Sequence, residues 1–528
     1  MHRLKKPTVL ILAFIMFAIL LGACGKDSIG EPEETQISEE GGEEERYTGT
    51  AADNLFTLNC NRGNGFNPYT TRDSSNILIT QLMYDMLLNV DASYNYTPNI
   101  IKDWKSDDGK YWVFTVDSTI RLWDGTQVTA YDAAYSIQRA MRSPQFSSRL
   151  SSIIGVSAID EDTFAVNIYG TNTRFPVLLC IPLIKDGSAA EDIPQGSGPY
   201  VINEELSSMS ANKYHKSFES LPFETVYLTE IIELEDILTA FEDSRIDLVI
   251  NDPSSFTNLG YGSANEKRPY NTANMHYLGF NSGSVYFSNV LFRKAMNYIV
   301  DRENIVTKIM NGQASAATLP FHPAGEYYNE SFSELVSYSV EKSKKALDEA
   351  EVQDYDDDGY REIMVTGIPL ETEIDFIVCN SSSYKVQAAE SIVEDMSELG
   401  IKLTLRELSW SAYKAALSAG DYDMYYAETM LTPDFNLRQL LNYGGPLNYG
   451  GVNDSNLDEH INSYMSANDE ERQKAADLMF KYITDTAPIV TICFEKRQAA
   501  THSGVISGLR PTQYNIFNEI EEWKADLG

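Results

Sequence analysis

The sequence is poor in the residues that build metal clusters and many catalytic sites. Its 528 residues include five cysteines and six histidines, and it contains no CxxC, HExxH or GxSxG motif. CxxC pairs commonly hold zinc or iron–sulfur clusters, HExxH helices hold a catalytic zinc, and GxSxG turns present a nucleophilic serine. We therefore expect a protein that is not an enzyme and that carries no metal and no cofactor.

Basic residues are also scarce. The chain has 41 Lys and Arg against 77 Asp and Glu, which gives a formal net charge of −36. Such a chain repels nucleic acid and anionic lipid headgroups, so we expect no nucleic-acid partner. The hydrophobic share of 43% and the aromatic share of 11% are typical of folded domains. We interpret the acidity as a means of keeping a folded domain in solution.

A single long apolar run stands out, and it lies at the amino terminus. Val9–Leu21 follows a short basic start and is too short to span a bilayer, but its length suits the core of a signal peptide. The run ends in the letters LGAC, which resemble a bacterial lipobox. Residues 1–23 are thus predicted to be a lipoprotein signal peptide, and Cys24 is predicted to be lipidated, anchoring the chain stably through two or more acyl chains. The alternative is a secreted protein in which this cysteine has no role.

The next segment and the remaining cysteines complete the compositional picture. Residues 24–50 are rich in Glu, Gly and Ser, which predicts an acidic, flexible tether. The four later cysteines, by contrast, lie in apolar surroundings, which favours buried free thiols, with a disulfide as the alternative: Cys60, Cys180, Cys379 and Cys493.

Short polar residues mark the predicted helix starts. Ser74 or Ser75 is predicted to cap the first helix of the folded part. Thr129 is predicted to cap a second helix, with Asp132 completing a capping box, and Asp301 to cap a third. These helices have apolar residues at helical spacing, so each is expected to bury one face.

Strand and helix signals alternate in the second half of the chain. Tyr277–Asn281 and Val365–Asn380 read as strands. Tyr384–Leu399 reads as an amphipathic helix that Gly400 ends, and Ile401–Leu405 reads as the next strand. Alternation of this kind predicts an α/β lobe with a mainly parallel sheet.

Two loop motifs invite a ligand assignment. Asp354–Gly359 has the aspartate spacing of a calcium loop, but position twelve is Val365 instead of a bidentate glutamate. We interpret it as a surface turn, with weak calcium binding as the alternative. Gly196–Tyr200 reads GSGPY and lacks the Lys-Ser/Thr of a phosphate loop, so phosphate binding is rejected.

Several blocks, taken in order, resemble the extracytoplasmic solute-binding proteins of peptide and nickel ABC transporters, the oligopeptide-binding family (family 5). The blocks are the run Tyr84–Met141, with DDGK and a following F-x-V strand, the GSGPY turn, and FRKAMNYIVDRENI at Phe292–Ile305. The resemblance implies an α/β, two-lobed periplasmic-binding-protein-like fold of type II, with an extra subdomain, mixed sheets flanked by helices, and discontinuous lobes.

The resemblance also implies domain boundaries. Lobe I is predicted to comprise 51–88, 197–280 and 493–528. An accessory subdomain, 89–196, packs on it, and lobe II is 281–492.

The function implied is that of a substrate-binding lipoprotein of an ABC importer, which captures a small solute between its lobes and delivers it to the permease subunits. A peptide is the favoured solute; a nickel chelate, haem or a sugar are alternatives, and a surface lipoprotein hydrolase is a further one. The implied location is the outer face of the cytoplasmic membrane, where a monomer is held by the lipid on Cys24.

The family carries its ligand contacts on two segments. The peptide-binding branch usually has a glycine–tryptophan pair and then an aspartate for the peptide amino group. Here the letters are AETMLTPDFN, without the tryptophan, which weakens the case for a peptide. Asp434 approximates the aspartate, and Glu428 is either its substitute or a solvated carboxylate. The matching positions are Arg72, Asp73 and Ser74 in the first segment, and Tyr425, Tyr426, Glu428, Thr429 and Asp434 in the second.

Overall fold

The computed structural model describes residues 54–251 and 265–527, all of which belong to one compact unit. The predicted signal peptide, the tether and Cys24 lie outside the described residues. Within the described part, no helix is both long and apolar enough to cross a membrane.

The helices are mostly short and lie between strands. They are α1 Ser74–Met83, α2 Ala130–Ala140, α3 Leu234–Glu242, α4 Val290–Ile299, α5 Arg302–Asn304, α6 Glu330–Leu335, α7 Val340–Glu349, α8 Ser383–Ser397, α9 Trp410–Ala419, α10 Arg438–Leu441, α11 Ser455–Ser466 and α12 Asp469–Thr486.

The strands include two long ones, β12 and β20. In chain order they are β1 Thr57–Cys60, β2 Leu88–Val90, β3 Tyr96–Pro98, β4 Ile101–Lys105, β5 Tyr111–Val116, β6 Ile153–Ala158, β7 Thr163–Ile168, β8 Tyr200–Ile202, β9 Ser208–Ala211, β10 Thr225–Glu230, β11 Leu248–Asn251, β12 Asn265–Phe280, β13 Ala314–Ala316, β14 Val352–Gln353, β15 Glu362–Val365, β16 Ile368–Glu371, β17 Glu373–Cys379, β18 Lys402–Leu408, β19 Met424–Met430, β20 Ile489–His502, β21 Ile506–Ser507 and β22 Lys524–Ala525.

Three larger sheets organise the molecule. One has the order β1-β10-β9-β8, and a second, built from consecutive parts of the chain, has the order β4-β5-β7-β6. The third follows the order β11-β20-β12-β19-β17-β18, with β13 added on β20. In this large sheet β17 runs parallel to β18 and β19, as the helix–strand alternation predicts, whereas β12 pairs antiparallel with β19 and β20. The sheet is therefore mixed.

Two large hydrophobic cores flank the large sheet, and a small third one packs α3 against β11 and β20. The first joins residues of the early sheets to residues of α9, α11 and α12. The second packs β12, β17 and β19 against α4, α7 and α8, and it includes both Met296 and Cys493. β12, β17, β19 and β20 thus each contribute side chains to both cores.

Two capping predictions are confirmed and one is wrong. Thr129 and Asp132 form the expected capping box, and the Asp301 carboxylate accepts a hydrogen bond from Asn304 N at the start of α5. For α1, however, the cap is Asp73, which accepts hydrogen bonds from the backbone N of Ser75 and Asn76. A carboxylate one residue earlier can reach both free N–H groups, so Ser74 becomes the first helical residue.

Two strand predictions also need correction. The segment predicted as Tyr277–Asn281 is the end of the much longer β12. The segment predicted as Val365–Asn380 is divided between β15, β16 and β17, because Thr366 and Gly367 form a turn with positive φ. Cys60, Cys180, Cys379 and Cys493 are all buried and free, which confirms the free-thiol prediction.

The GSGPY turn owes its glycines to a close backbone approach. Gly198 N donates to Met83 O at 3.0 Å, where the turn packs on the end of α1. A Cβ at Gly198 would lie only 2.6 Å from that same oxygen. A glycine is therefore required here for packing.

Candidate functional site

The first predicted ligand segment lies at the start of α1. Arg72 and Ser74 are exposed. Asp73 caps the helix and also accepts hydrogen bonds from the side-chain amides of Asn61 and Asn64, at 3.1 and 3.2 Å. These contacts give Asp73 a structural role, and solute binding by this segment stays a prediction.

The second segment lies on β19 and in the loop after it, and its two tyrosines are buried. Tyr425 packs edge-on against the Tyr277 ring and fills the space over Gly279, where a Cβ would collide with the ring. Tyr426 points to the other side, and its Oη lies 2.9 Å from Nδ1 of His276. Thr429 lies further along the strand, opposite Met275.

Glu428 belongs to a charged network. Its carboxylate lies 2.9 Å from Lys385 Nζ and 3.4 Å from Nε2 of His276. Burial disfavours the carboxylate, but His276 and Lys385 outweigh burial and lower the pKa of Glu428 to about 2. Glu428 is thus an ion-paired carboxylate that is still 37% exposed, and its role in solute binding stays a prediction.

Asp434 lies in the loop after β19 and is fully buried. Its carboxylate accepts hydrogen bonds from the Asn172 side chain at 2.8 Å, from the Thr432 hydroxyl and from Asn436 N. The contact with Asn172 joins chain segments 262 residues apart. Within the described residues, no hydrogen bond or ion pair joins Asp434 or Glu428 to Arg72, Asp73 or Ser74.

Five buried rings meet beside Asp434, and we call them the Tyr94 cluster: Tyr94, His322, Phe435, Phe494 and Tyr514. The Tyr94 ring lies 5.4 Å from His322, 4.9 Å from Phe435 and 6.5 Å from Tyr514, measured between centroids. The His322 ring also packs on Phe494 at 5.0 Å. The cluster therefore joins the β2–β3 turn, the segment before α6, the loop after β19, β20 and the C-terminal segment.

Three polar atoms of the Tyr94 cluster are buried without a hydrogen-bond partner among the described residues. They are the hydroxyls of Tyr94 and Tyr514 and Nε2 of His322. Buried polar groups in folded proteins are almost always paired, so the three orphaned atoms make the Tyr94 cluster a candidate solute site.

The protonation state of His322 follows from its surroundings. Its Nδ1 accepts a hydrogen bond from Ala324 N at 3.0 Å, which places the proton of the neutral ring on Nε2. Burial, with a smaller contribution from Lys496, lowers the pKa of His322 to about 4. At neutral pH the ring is uncharged, and Nε2–H is a free donor.

Two arginines border the Tyr94 cluster. Arg149 lies over the Tyr514 ring at 5.8 Å, and Arg174 donates to Tyr94 O at 3.0 Å. Together with Asp434 they place charges of both signs around an aromatic interior, an arrangement suited to a zwitterionic solute.

Sequence reasoning missed the Tyr94 cluster apart from its neighbour Asp434. Its members are far apart in the chain, and an isolated tyrosine or phenylalanine carries no motif. Tyr94 and Phe435 both adopt positive φ, 64° and 51°, a conformation that the sequence does not reveal for such residues.

The acidic turn at Asp354–Gly359 is exposed, as expected for a surface turn, and Glu362 on the following strand is buried. The Asp354 carboxylate accepts from the N–H groups of Asp358 and Gly359, so the turn is closed by its own hydrogen bonds. Oxygens of Asp354, Asp356, Asp358 and Glu362 lie within 4.8 Å of one another.

Comparison with known proteins gives the chain its family. The family model of bacterial extracellular solute-binding proteins, family 5 Middle, matches residues 95–450. Heme-binding protein A of Haemophilus influenzae is 22% identical over 473 residues, covering 78% of this chain and 82% of that protein. The periplasmic oligopeptide-binding protein OppA of Salmonella typhimurium is 23% identical over 391 residues, covering 66% of this chain and 69% of that protein.

Solved structures agree on the fold. The unliganded open form of MppA, a periplasmic murein tripeptide binding protein, superposes with a TM-score of 0.71 at 17% sequence identity, covering 90% of this chain and 98% of that chain. The predicted α/β, two-lobed periplasmic-binding-protein-like fold is thus confirmed. Since the family model spans well over half of the sequence, the chain belongs to the bacterial extracellular solute-binding proteins, family 5.

Proposed function

We propose that this protein is the lipid-anchored substrate-binding component of an ABC importer, and that its solute is a peptide bound at the Tyr94 cluster. The single observation that carries the proposal is the set of three buried, orphaned polar atoms on Tyr94, His322 and Tyr514. Burying a polar group without a hydrogen-bond partner destabilises a structure by roughly 1–3 kcal/mol. A solute that supplies the missing partners removes this penalty and is therefore bound more tightly.

A peptide backbone has the matching chemistry. Its carbonyl oxygens accept from His322 Nε2–H and from the tyrosine hydroxyls, and its N–H groups can donate to those hydroxyls. The five rings supply the apolar surface that peptide side chains need. Asp434 and Arg149 lie beside the rings and offer opposite charges to the two peptide termini.

The tautomer of His322 argues against direct metal ligation as the basis of solute binding. A metal-bound imidazole directs a nitrogen lone pair at the metal, whereas here Ala324 N occupies the Nδ1 lone pair and Nε2 carries the proton. Haem or a nickel chelate bound through this ring would require the Ala324 hydrogen bond to break. A sugar is the competing solute, because its many oxygen atoms can also accept hydrogen bonds from His322 and the two tyrosines.

The domain arrangement belongs to the same proposal. Lobe I (51–88, 197–280, 493–528) and the accessory subdomain (89–196) supply Tyr94, Phe494 and Tyr514. Lobe II (281–492) supplies His322, Phe435 and Asp434.

β12 and β20 run between the two cores and offer the two hinge crossings. Solute contacts to both sides favour the closed state. Arg72, Asp73 and Ser74 are proposed to lie at the edge of the cleft.

The anchor and the absence of catalysis complete the proposal. Cys24 carries the lipid that holds a monomer at the outer face of the cytoplasmic membrane, beside its permease. Loss of labelled palmitate in a Cys24→Ser variant tests this point. The relatives named above are binding proteins, which supports capture without turnover.

Mass spectrometry of the solute that co-purifies with the protein tests the proposal. The protein is purified without refolding, denatured mildly, and the released small molecules are fragmented. We expect peptide fragment series from the wild type and their loss from a Tyr94→Phe/His322→Gln double variant. A haem absorbance band, a sugar, or a solute that the wild type chemically converts would contradict the assignment.

A further inference from the structure

Three side chains from neighbouring strands of the large sheet direct donor atoms at a common point. His276 lies on β12, Glu428 on β19 and Glu495 on β20. Nε2 of His276 lies 2.7 Å from Glu495 Oε1 and 3.4 Å from Glu428 Oε2. All three donor atoms lie within 4.8 Å of one another.

The other polar atom of each side chain is held by a separate group. Tyr426 Oη lies 2.9 Å from His276 Nδ1, Lys385 Nζ lies 2.9 Å from Glu428 Oε1, and the Asn274 amide donates to Glu495 Oε2. Outer contacts of this kind fix the orientation of the ligands at protein metal sites. They leave Nε2, Oε2 and Oε1 facing inward.

We propose that His276, Glu428 and Glu495 bind a divalent first-row transition-metal ion, with Zn²⁺ as the representative. One imidazole and two carboxylates suit such ions, whereas Mg²⁺ and Ca²⁺ prefer oxygen ligands alone. Tetrahedral bonds of about 2.0–2.1 Å set ligand atoms roughly 3.3 Å apart. The observed 3.4 Å contact fits, and the 2.7 Å contact must open slightly.

The proposed metal site is open to solvent on one side. His276 and Glu495 are 1% and 2% exposed, whereas Glu428 is 37% exposed. Solvent thus reaches the site from the Glu428 side, where water can supply a fourth ligand. The charges agree, since the Glu428 and Glu495 carboxylates face the same point and favour a bound cation there.

The site is independent of peptide binding. Phe494 of the Tyr94 cluster and Glu495 are neighbours on β20, and side chains alternate between the faces of a strand. The proposed ion therefore lies on the other side of the strand from the Tyr94 cluster, and either proposal can fail without the other.

Zinc titration of the chelator-treated, full-length protein tests the proposal. Calorimetry is expected to show one Zn²⁺ per chain, and the melting temperature is expected to rise with zinc but not with equal Mg²⁺ or Ca²⁺. Glu428→Gln should bind zinc at least about tenfold more weakly. Glu407→Gln, at an exposed glutamate on β18 of the same sheet, should bind like the wild type.

A second variant, His276→Gln, is expected to weaken zinc binding further, with folding checked by circular dichroism. Anomalous diffraction at the zinc edge should place the ion between the three donor atoms. The proposal is overturned if the wild type shows no saturable zinc binding, which leaves an ion-pair network only. It is equally overturned if Glu428→Gln binds as tightly as the wild type, which locates the ion elsewhere, for example at the acidic turn of Asp354.

Discussion

At the scale of single residues, His322 makes the stability of the fold depend on pH. Its pKa of about 4 is lower than the value of about 6.5 expected in the unfolded chain. Between these two values the unfolded state takes up a proton that the folded state excludes. The stabilisation is therefore complete above pH 6.5 and is lost as the pH falls towards 4.

The His322→Gln variant should lack this dependence. Relative to the variant, the wild type is expected to lose roughly 2–3 kcal/mol of unfolding free energy between pH 7 and pH 4. Urea unfolding at both pH values measures the difference, and His460→Gln on α11 serves as the histidine control. Parallel curves for the wild type and His322→Gln would show that the ring is not buried in its neutral form.

Gly198 and Gly155 form a matched pair of glycines. A Cβ at Gly198 meets the backbone of Met83 and Tyr84, whereas a Cβ at Gly155 meets nothing within 4 Å. Gly198→Ala should therefore cost at least about 2 kcal/mol, because backbone atoms cannot move aside cheaply. Gly155→Ala should change stability by less than about 1 kcal/mol. Denaturant midpoints measure both, and similar midpoints would contradict the close approach at the GSGPY turn.

The predictability of a residue depends on how local its cause is. The Thr129–Asp132 capping box could be predicted because it depends only on two residues that lie three positions apart in the sequence. The Tyr94 cluster could not, because its rings come from segments separated by hundreds of residues. A family motif in the sequence points to Asp434, but its hydrogen bond from Asn172 depends on the complete fold.

At the scale of elements, variants at the start of α1 can distinguish helix capping from solute binding. Asp73 caps α1 through two backbone N–H groups. Asp73→Ala should destabilise the protein by about 1 kcal/mol or more, whereas Asp73→Ser keeps a capping oxygen, loses the contacts with Asn61 and Asn64, and should fall between Asp73→Ala and the wild type. Thermal unfolding measures both effects without solute.

The same two variants test the predicted ligand segment. If the Asp73 carboxylate also contacts the solute, Asp73→Ser should bind it more weakly while remaining folded at the temperature of the assay. Equal affinity for Asp73→Ser and the wild type would leave Asp73 with its capping role alone.

β12 shows why the large sheet could be predicted only in part. Its last four residues, Tyr277–Phe280, are apolar and read as a strand, whereas its polar first half contains Glu266, Lys267 and Pro269. The polar half is a strand because β20 pairs with it along nearly its full length. Pairing partners more than 200 residues away leave no periodic signal in the polar segment. The parallel strands β17 and β18, joined by α8, were predictable because such a unit is local.

At the scale of the whole molecule, solute binding should change the shape. In the proposed mechanism a peptide contacts both sides of the cleft, so it stabilises the closed state by its difference in affinity for the two states. A saturating peptide is therefore expected to reduce the radius of gyration in X-ray scattering and to raise the melting temperature. Unchanged scattering on saturation would exclude closure as the response to binding.

The central claim is that this chain captures a peptide at the Tyr94 cluster, and native mass spectrometry tests it most directly. The protein, freed of bound solute, is incubated with a defined library of peptides of several lengths and sprayed under non-denaturing conditions. We predict one intact peptide per wild-type chain and at least tenfold less peptide on the folded Tyr94→Phe/His322→Gln variant. A wild type that retains no peptide, or a variant that retains as much as the wild type, would contradict the claim.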